Sequence, residues 1–359
     1  MTICDETAYC VYLAERVLSV VPLLEKEIPG VRGGGDIEHI HRMRVASRRI
    51  RVALGLLDGC LGVRELRRMR RSVRGVTRAL GAARDADVQI AFLTSYAAQL
   101  PAGGSSDPIA DRPADGRESV VGSVNGSAIL SFPPPGSVSR TGIRCLLLRL
   151  VQEREALQPG VIRALDHLER SAALTRITER LRHRMERWRR EAGSMACART
   201  ILSVARRTVA LRIDELVALA PALSDPGRRT EHHAMRIAAK RLRYTIEAFA
   251  PLFEDGLRTE LKAVKDLQEV LGELHDCDVW IDRLPRFLEE ERARALAYFG
   301  NEGLYPRIEP GVIALYEDRR TERVRIHGKA LSAWRWLERG RFPERLLERF
   351  PLPEKRTEA

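Results

Sequence analysis

Apolar residues recur at the three- and four-residue spacing of amphipathic helices along most of this chain. The clearest example is HRMRVASRRIR, from His41 to Arg51, in which Met43, Ala46 and Ile50 share one helix face and the cations share the other. This pattern predicts a core helix with a row of cations about 15 Å long on its opposite face. A row that occurs once is usually only a solvated surface.

The same pattern returns in HAMRIAAKRLR at 233–243, and a second pair of segments matches in the same order. LGAARDADV at 80–88 corresponds to LGELHDCDV at 271–279, so the offset is 192 residues for the first motif and 191 for the second. Two long motifs in near register predict an internal duplication. The predicted fold is all-α, with two helical bundles, 1–192 and 193–359, related by a pseudo-twofold axis around a central basic channel.

Glycine, proline and a capping aspartate predict where the first helices begin and end. A helix is predicted from Asp5 to Ile28, and Asp36 is predicted to cap the first basic helix. A break at 59–62 leads into a third helix, followed by a short helix that ends near Leu100.

The composition changes to Gly, Ser, Pro and Asp between residues 101 and 142, which predicts a disordered insertion. Helical periodicity resumes at Ile143 and extends to about Arg190, with predicted breaks near Pro159 and Ser171. The last of these helices carries a further basic row.

The chain has a net charge of +12 and an isoelectric point near 9.8, which indicates a polyanionic partner: nucleic acid, polyphosphate or an anionic membrane surface. Residues 41–88 contain 13 arginines and 4 acidic residues, whereas residues 233–279 contain 7 basic and 9 acidic residues. The cations nevertheless keep to the same helix faces, which indicates a shared anion site. The rows consist of His41, Arg44, Arg48 and Arg51; Arg67, Arg71, Arg74 and Arg78; His233, Arg236, Lys240 and Arg243; and Arg258, Lys262 and Lys265.

Arginine suits phosphate because its planar guanidinium donates to two oxygens at once. Cations crowded around a cavity repel one another, so such a lining is expected to bind an anion. His41 and His233 are candidate donors at mildly acidic pH, and a neutral histidine capping its own helix is an equal alternative. Tyr244 is either a further donor or a packing residue.

The sequence predicts no metal site, no cofactor and no catalysis. The histidines stand among arginines and lack metal-binding spacing. Asp85 with Asp87, and Asp276 with Asp278, could hold Mg²⁺, but salt bridges to the arginine rows or a helix cap explain these pairs more simply. No nucleophile elbow, Walker motif or carboxylate cluster is visible.

Six cysteines without CxxC spacing predict free thiols in a reducing cytosol. No apolar run is expected to reach the roughly 18 residues of a membrane span, and the N-terminus lacks the shape of a signal peptide. The predicted location is therefore the cytoplasm, without membrane contact.

At these motifs the chain resembles the CHAD family, the conserved histidine α-helical domain. The resemblance rests on HRMRVASRRIR with LGAARDADV and on HHAMRIAAKRLRYTIEAF with LKAVKDLQEVLGELHDCDV. It implies two helical bundles that bind inorganic polyphosphate along a central basic channel, and association with polyphosphate granules. No ExExK strand of the CYTH triphosphatase domain found in some members occurs, so a stand-alone binding module is expected. The resemblance adds Arg49 and Arg241 to the row residues as implied ligands, while Glu269 at the place of Arg78 departs from symmetry.

The leading hypothesis is therefore a non-catalytic polyphosphate-binding module. A nucleic-acid-binding protein is the alternative, but the rows contain few aromatic residues on which bases could stack. A metal-dependent phosphohydrolase is a weaker third possibility.

Overall fold

A computed structural model describes residues 3–34, 36–100, 140–192 and 198–352. These residues are helical nearly throughout and include no strand, so the all-α prediction is confirmed. The helices are α1 (Ile3–Glu25), α2 (Ile28–Gly33), α3 (Ile37–Leu56), α4 (Val63–Gln99), α5 (Arg140–Arg170), α6 (Ala173–Ala192), α7 (Ala198–Val217), α8 (Arg229–Phe249), α9 (Arg258–Phe299), α10 (Tyr305–Arg339) and α11 (Phe342–Glu348).

Several predicted boundaries are confirmed. Asp36 caps α3, since its carboxylate accepts a hydrogen bond from the Glu38 backbone N–H at 2.8 Å. The break between the two basic helices falls at 57–62, and a second break separates α5 from α6 at Ser171. The separate short helix predicted before Leu100 is wrong, because α4 continues unbroken to Gln99.

The start of α5 corrects the predicted insertion. Most of the insertion lies outside the described residues, but α5 already begins at Arg140. Gly142 lies in this helix where it packs closely on α10, and a Cβ there would lie 2.1 Å from the carbonyl oxygen of Ile308. The predicted break near Pro159 is also wrong, since α5 passes through that proline while packed against α4.

Two long antiparallel hairpins organise the molecule. Helix α4 packs along α5, and α9 packs along α10. The starts of α4 and α9 pack on α3 and α8 and share one large hydrophobic cluster with α1, α6 and α7. A second cluster, centred on Leu93, Leu146 and Leu284, lies where the far halves of the hairpins meet. Both ranges predicted as separate bundles contribute to the large cluster.

The prediction of free thiols is wrong for two cysteines. Cys10 on α1 and Cys60, in the loop between α3 and α4, form a disulfide. Their pairing depends on the fold, because 50 residues separate them in the sequence. Cys145 and Cys277 are free.

One segment, Thr7–Gly33, is long and apolar enough to cross a membrane, with a mean hydropathy of 1.4 over its best window. This contradicts the expectation that no apolar run reaches that length. However, 56% of that window is buried, and core helices pass the same test. Leu13, Ala14 and Val17 have no exposed surface, which is the behaviour of a core helix.

Candidate basic site between helices α3 and α8

The apolar positions of the two basic helices lie in the core, as their spacing predicts. Met43 and Ile50 on α3, like Met235 and Leu242 on α8, are buried. The cationic rows occupy the opposite faces. All four members of the α8 row are partly buried, whereas only the two central members of the α3 row are.

The two rows meet at an aromatic ring. The guanidinium of Arg48 on α3 lies 4.3 Å from the ring centroid of Tyr244 on α8. Arg243 lies 4.6 Å from the same centroid and donates a hydrogen bond to the Tyr244 hydroxyl at 2.7 Å. Tyr244 is buried, so of its two predicted roles it fulfils packing, held by cation–π contacts.

The pKa of Lys240 shows that the cationic rows of α3 and α8 lie close together. Its pKa is lowered to about 8 by burial and by the charges of neighbouring arginines. Arg236 has the largest charge effect, and Arg48 and Arg44 act from the other helix. We call the place where Arg44 and Arg48 meet Arg236 and Lys240 the junction. Like charges repel strongly where water is partly excluded, so the junction is destabilised by its own charge and would be stabilised by a bound anion.

A second group of cations lines an open cavity of about 850 Å³ beside α3 and α4. Its walls include five arginines and one carboxylate: Arg51, Arg67, Arg70, Arg71, Arg74 and Asp58. Within the described part of the chain, no carboxylate forms an ion pair with any of these five guanidinium groups. Burial and the charge of Arg74 lower the pKa of Arg51, so the cations of the two helices interact here as well.

A family model for the CHAD domain matches residues 19–285 of this sequence. The chain belongs to the CHAD family. Its fold is similar to the crystal structure of the CHAD domain from the plant Ricinus communis, with a TM-score of 0.53 over 86% of this chain and 90% of that one. The two sequences are 21% identical, so this similarity concerns the fold. No curated protein matches the chain.

The basic row on α9 of this CHAD domain differs from the row on α4. Its members are exposed, and none of them lines the 850 Å³ cavity. Lys262 forms an ion pair with Asp266 at 2.6 Å, and Lys265 pairs with Glu269 at 3.4 Å. Glu269 thus neutralises a cation from the position where α4 carries Arg78.

The remaining predicted residues are less closely grouped. Arg49 lines a smaller pocket of about 230 Å³ together with Glu247, and Arg241 lies 3.7 Å from Glu215. The other three, His41, Arg78 and Arg258, are exposed and have no ion-pair partner in the described ranges.

His233 is joined by a histidine that the sequence did not assign to the anion site. Its Nδ1 lies 3.1 Å from Nδ1 of His275 on α9. Burial, the charge of His233 and that of Arg236 lower the pKa of His275 to about 4. The pKa of His233 is also lowered, by burial, Arg236 and Lys240. Both rings are therefore neutral at pH 7, and the described residues contain no group of three or more potential metal ligands.

Two glycines that occupy the same place in the second motif pair, Gly81 and Gly272, each lie close to a row arginine. A methyl group on Gly81 would lie 4.0 Å from Nε of Arg44, and one on Gly272 would lie 3.7 Å from Nε of Arg236. The sequence showed that these glycines correspond, but not that they lie beside the arginines. Arg70, which donates to the Gly55 carbonyl at 2.9 Å, was missed because it stands off the helical row.

Three of the paired aspartates form salt bridges, but only Asp85 pairs with a row arginine, as predicted. Asp276 forms no ion pair among the described residues, and burial raises its pKa. Asp87 is buried and pairs with Arg154 on α5 at 2.7 Å, while Asp278 pairs with Arg323 on α10 at 2.6 Å. Asp85 lies 3.5 Å from the row residue Arg44. The alternative of a helix cap is wrong, because both motifs lie inside long helices.

Proposed function

We propose that this protein binds inorganic polyphosphate without catalysis, through basic helix faces that line a central channel. The observation that carries the proposal is the junction of Arg44 and Arg48 with Arg236 and Lys240. Four cations lie close enough to perturb one another. The nearby carboxylates leave them incompletely paired: Asp85 is exposed and lies 3.5 Å from Arg44. Asp276 and Glu247 interact with Arg236 and Arg48 through their charges but form no ion pair with either among the described residues. A polyanion would remove their mutual repulsion and accept several charged hydrogen bonds at once.

We further propose that the channel arises from an internal duplication related by a pseudo-twofold axis. Corresponding contacts support this. Gly81 stands to Arg44 as Gly272 stands to Arg236. Likewise, each motif places a buried aspartate in a salt bridge to an arginine on the next helix of its hairpin.

Nucleic acid is the alternative ligand. Single-strand binders normally present aromatic rings on which bases stack. The aromatic side chain at the junction is Tyr244, whose ring is buried between arginines and offers no open face. A flexible chain with one charge per phosphate therefore fits this site better than stacked bases do. A metal-dependent phosphohydrolase has no supporting observation.

We propose a cytoplasmic location, in association with polyphosphate granules and without membrane contact. Cys10 and Cys60 form a disulfide, so these two residues give no support for a reducing compartment. The proposed location therefore depends on the proposed ligand.

The test is a competition titration. Labelled long-chain polyphosphate is titrated against RNA and DNA at physiological salt, and we expect polyphosphate to bind most tightly, with an affinity that falls steeply as salt increases. Preference for either nucleic acid would exclude the proposal. Phosphate release during incubation with Mg²⁺ or Mn²⁺, absent from a His41→Ala variant, would show an enzyme instead.

A further inference from the structure

Helix α6 carries a group of cations that the proposed channel does not use. Its sequence contains seven arginines and three glutamates. The side chains of Ile177 and Leu181 are buried, so α6 packs on the core. An exposed face of α6 carries cations at three- and four-residue spacing, and these form the α6 row: Arg176, Arg180, His183, Arg187 and Arg190.

A single carboxylate joins this row to α4. Glu65 on α4 accepts a hydrogen bond from Arg184 Nη2 at 3.2 Å with Oε2, and its Oε1 forms an ion pair with Arg180 Nε at 3.2 Å. One negative charge therefore faces two guanidinium groups, and the contact between α6 and α4 keeps a positive balance.

The exposed surface of α4 connects this contact with the cavity cations. At about 100° per residue, Arg64 and Arg68 lie roughly 60° and 100° around the helix from Arg67, and Glu65 lies roughly 160° around. Arg64 and Arg68 are both exposed, and neither has a carboxylate partner among the described residues. On the surface of α4 they therefore lie between the Arg67 row and Glu65, which contacts α6.

We propose that a long polyphosphate chain leaves the channel, crosses α4 over Arg64 and Arg68, and continues along the α6 row beginning at Arg176 and Arg180. This inference rests on the proposed function. The α6 row adds about 20 Å of path between Arg176 and Arg190, at 1.5 Å per residue. A short oligophosphate cannot occupy the channel and this extension together, so the extension selects for chain length.

The test compares two double variants with a matched control. Arg176→Gln/Arg180→Gln removes cations from α6, and Arg64→Gln/Arg68→Gln removes the connecting cations. Arg335→Gln/Arg339→Gln is the control, because both residues are exposed on α10 and lack an ion-pair partner within the described segments. Affinity for long-chain polyphosphate, for tripolyphosphate and for vesicles containing phosphatidylserine is measured over a range of NaCl concentrations.

Arg64→Gln/Arg68→Gln should bind long-chain polyphosphate roughly three- to tenfold more weakly than wild type, as expected for two solvent-exposed charge contacts. Arg176→Gln/Arg180→Gln should bind it roughly two- to threefold more weakly, because Arg180 already faces Glu65. The slope of log affinity against log salt should decrease by about one for each cation lost. The loss should be distinctly smaller for tripolyphosphate, and the control should match wild type with both ligands.

Failure of the extension differs from failure of the proposed function. If both test variants bind long chains like the control while Arg44→Glu/Arg236→Glu binds weakly, the extension is excluded and the channel stands. If wild type binds RNA more tightly than polyphosphate, both the α6 extension and the proposed function are excluded. If the test variants lose affinity only for vesicles containing phosphatidylserine, the α6 row is a membrane surface and the extension is overturned.

Discussion

The helix pairs α3–α4 and α8–α9 carry cations at corresponding positions but compensate them differently. Beside α3–α4, five arginines line an open cavity without ion-pair partners in the described part of the chain. On α8–α9, three of the corresponding cations pair with acids of their own helices, and among the described residues Arg258 does not. These pairs are Arg243–Glu247 at 3.3 Å, Lys262–Asp266 at 2.6 Å and Lys265–Glu269 at 3.4 Å.

The difference teaches that a basic row is not by itself a binding surface. An i,i+4 pair stabilises its own helix by only about 0.3–0.5 kcal/mol, so a ligand can displace it. The freed carboxylate, however, stays beside the ligand and repels it. We therefore expect α3–α4 to supply most of the exposed binding surface, and α8 to contribute mainly at the junction around Lys240.

The largest effect should come from reversing charge at the junction itself. Arg44→Glu/Arg236→Glu removes one junction cation from α3 and one from α8, and it places a carboxylate near Asp85. Hydrogen bonds to charged groups contribute about 1.5–3 kcal/mol each, so polyphosphate affinity should fall at least about 100-fold. Calorimetric titration with long-chain polyphosphate measures this loss.

Arg335→Glu/Arg339→Glu is the matched control for charge. Equal affinity of the junction variant and this control would contradict the proposed site.

The second prediction concerns stability, where the two helix pairs also differ. The Cys10–Cys60 disulfide fixes the loop between α3 and α4, whereas Cys277 on α9 is free. Replacing both bridged cysteines with alanine should lower the free energy of unfolding by about 2–4 kcal/mol, because the unfolded chain loses a 50-residue loop constraint. Urea denaturation measures the change.

Reduced wild type should unfold at the same urea concentration as this double variant. A reductant that leaves the wild-type midpoint unchanged would show that the bridge does not constrain the loop in solution.

Periodicity was sufficient for what depends on local sequence. It predicted the all-α class, the apolar positions of α3 and α8 and the Asp36 cap, because each follows from side-chain spacing within one turn or helix. It failed where tertiary packing overrides a local signal. Pro159 would end an isolated helix, yet α5 continues through it along α4.

The composition of the site was predictable, but its contacts were not. The sequence identified Lys240 and Arg48 as row members, and only the fold brings them near each other. The pairing of His233 with His275, and of Cys10 with Cys60, joins residues 42 and 50 positions apart. No helical period relates such distant positions, so sequence patterns could not reveal these contacts.

The third prediction tests the difference between the α4 and α9 rows directly. Arg71→Gln/Arg74→Gln removes two unpaired cations from the cavity and should weaken polyphosphate binding about tenfold. Lys262→Gln/Lys265→Gln removes two cations that already face Asp266 and Glu269, so its effect should be no more than about twofold. Equal losses in the same titration would mean that the ion pairs on α9 do not limit binding.

The smallest effect should appear as a pH dependence that originates at Lys240. Its pKa of about 8 in the free protein is set by burial and by Arg236, Arg48 and Arg44. Bound phosphate would favour the ammonium form and raise that pKa, so binding takes up a proton above pH 8. Affinity should therefore be level below pH 8 and roughly threefold weaker at pH 9, because Lys240 is one of several contributing cations.

Lys240→Arg should remove this dependence, since arginine stays charged throughout the range. The weaker binding at pH 9 would not come from unfolding caused by deprotonation of Lys240. The folded-state pKa of Lys240 lies below its ordinary value of 10.5, so the unfolded chain binds more protons between about pH 8 and 10.5. The Lys240 contribution to the stability of the free protein consequently rises with pH in the window where affinity falls. A wild-type affinity that stays constant to pH 9, measured beside thermal unfolding at each pH, would show that Lys240 does not contact the ligand.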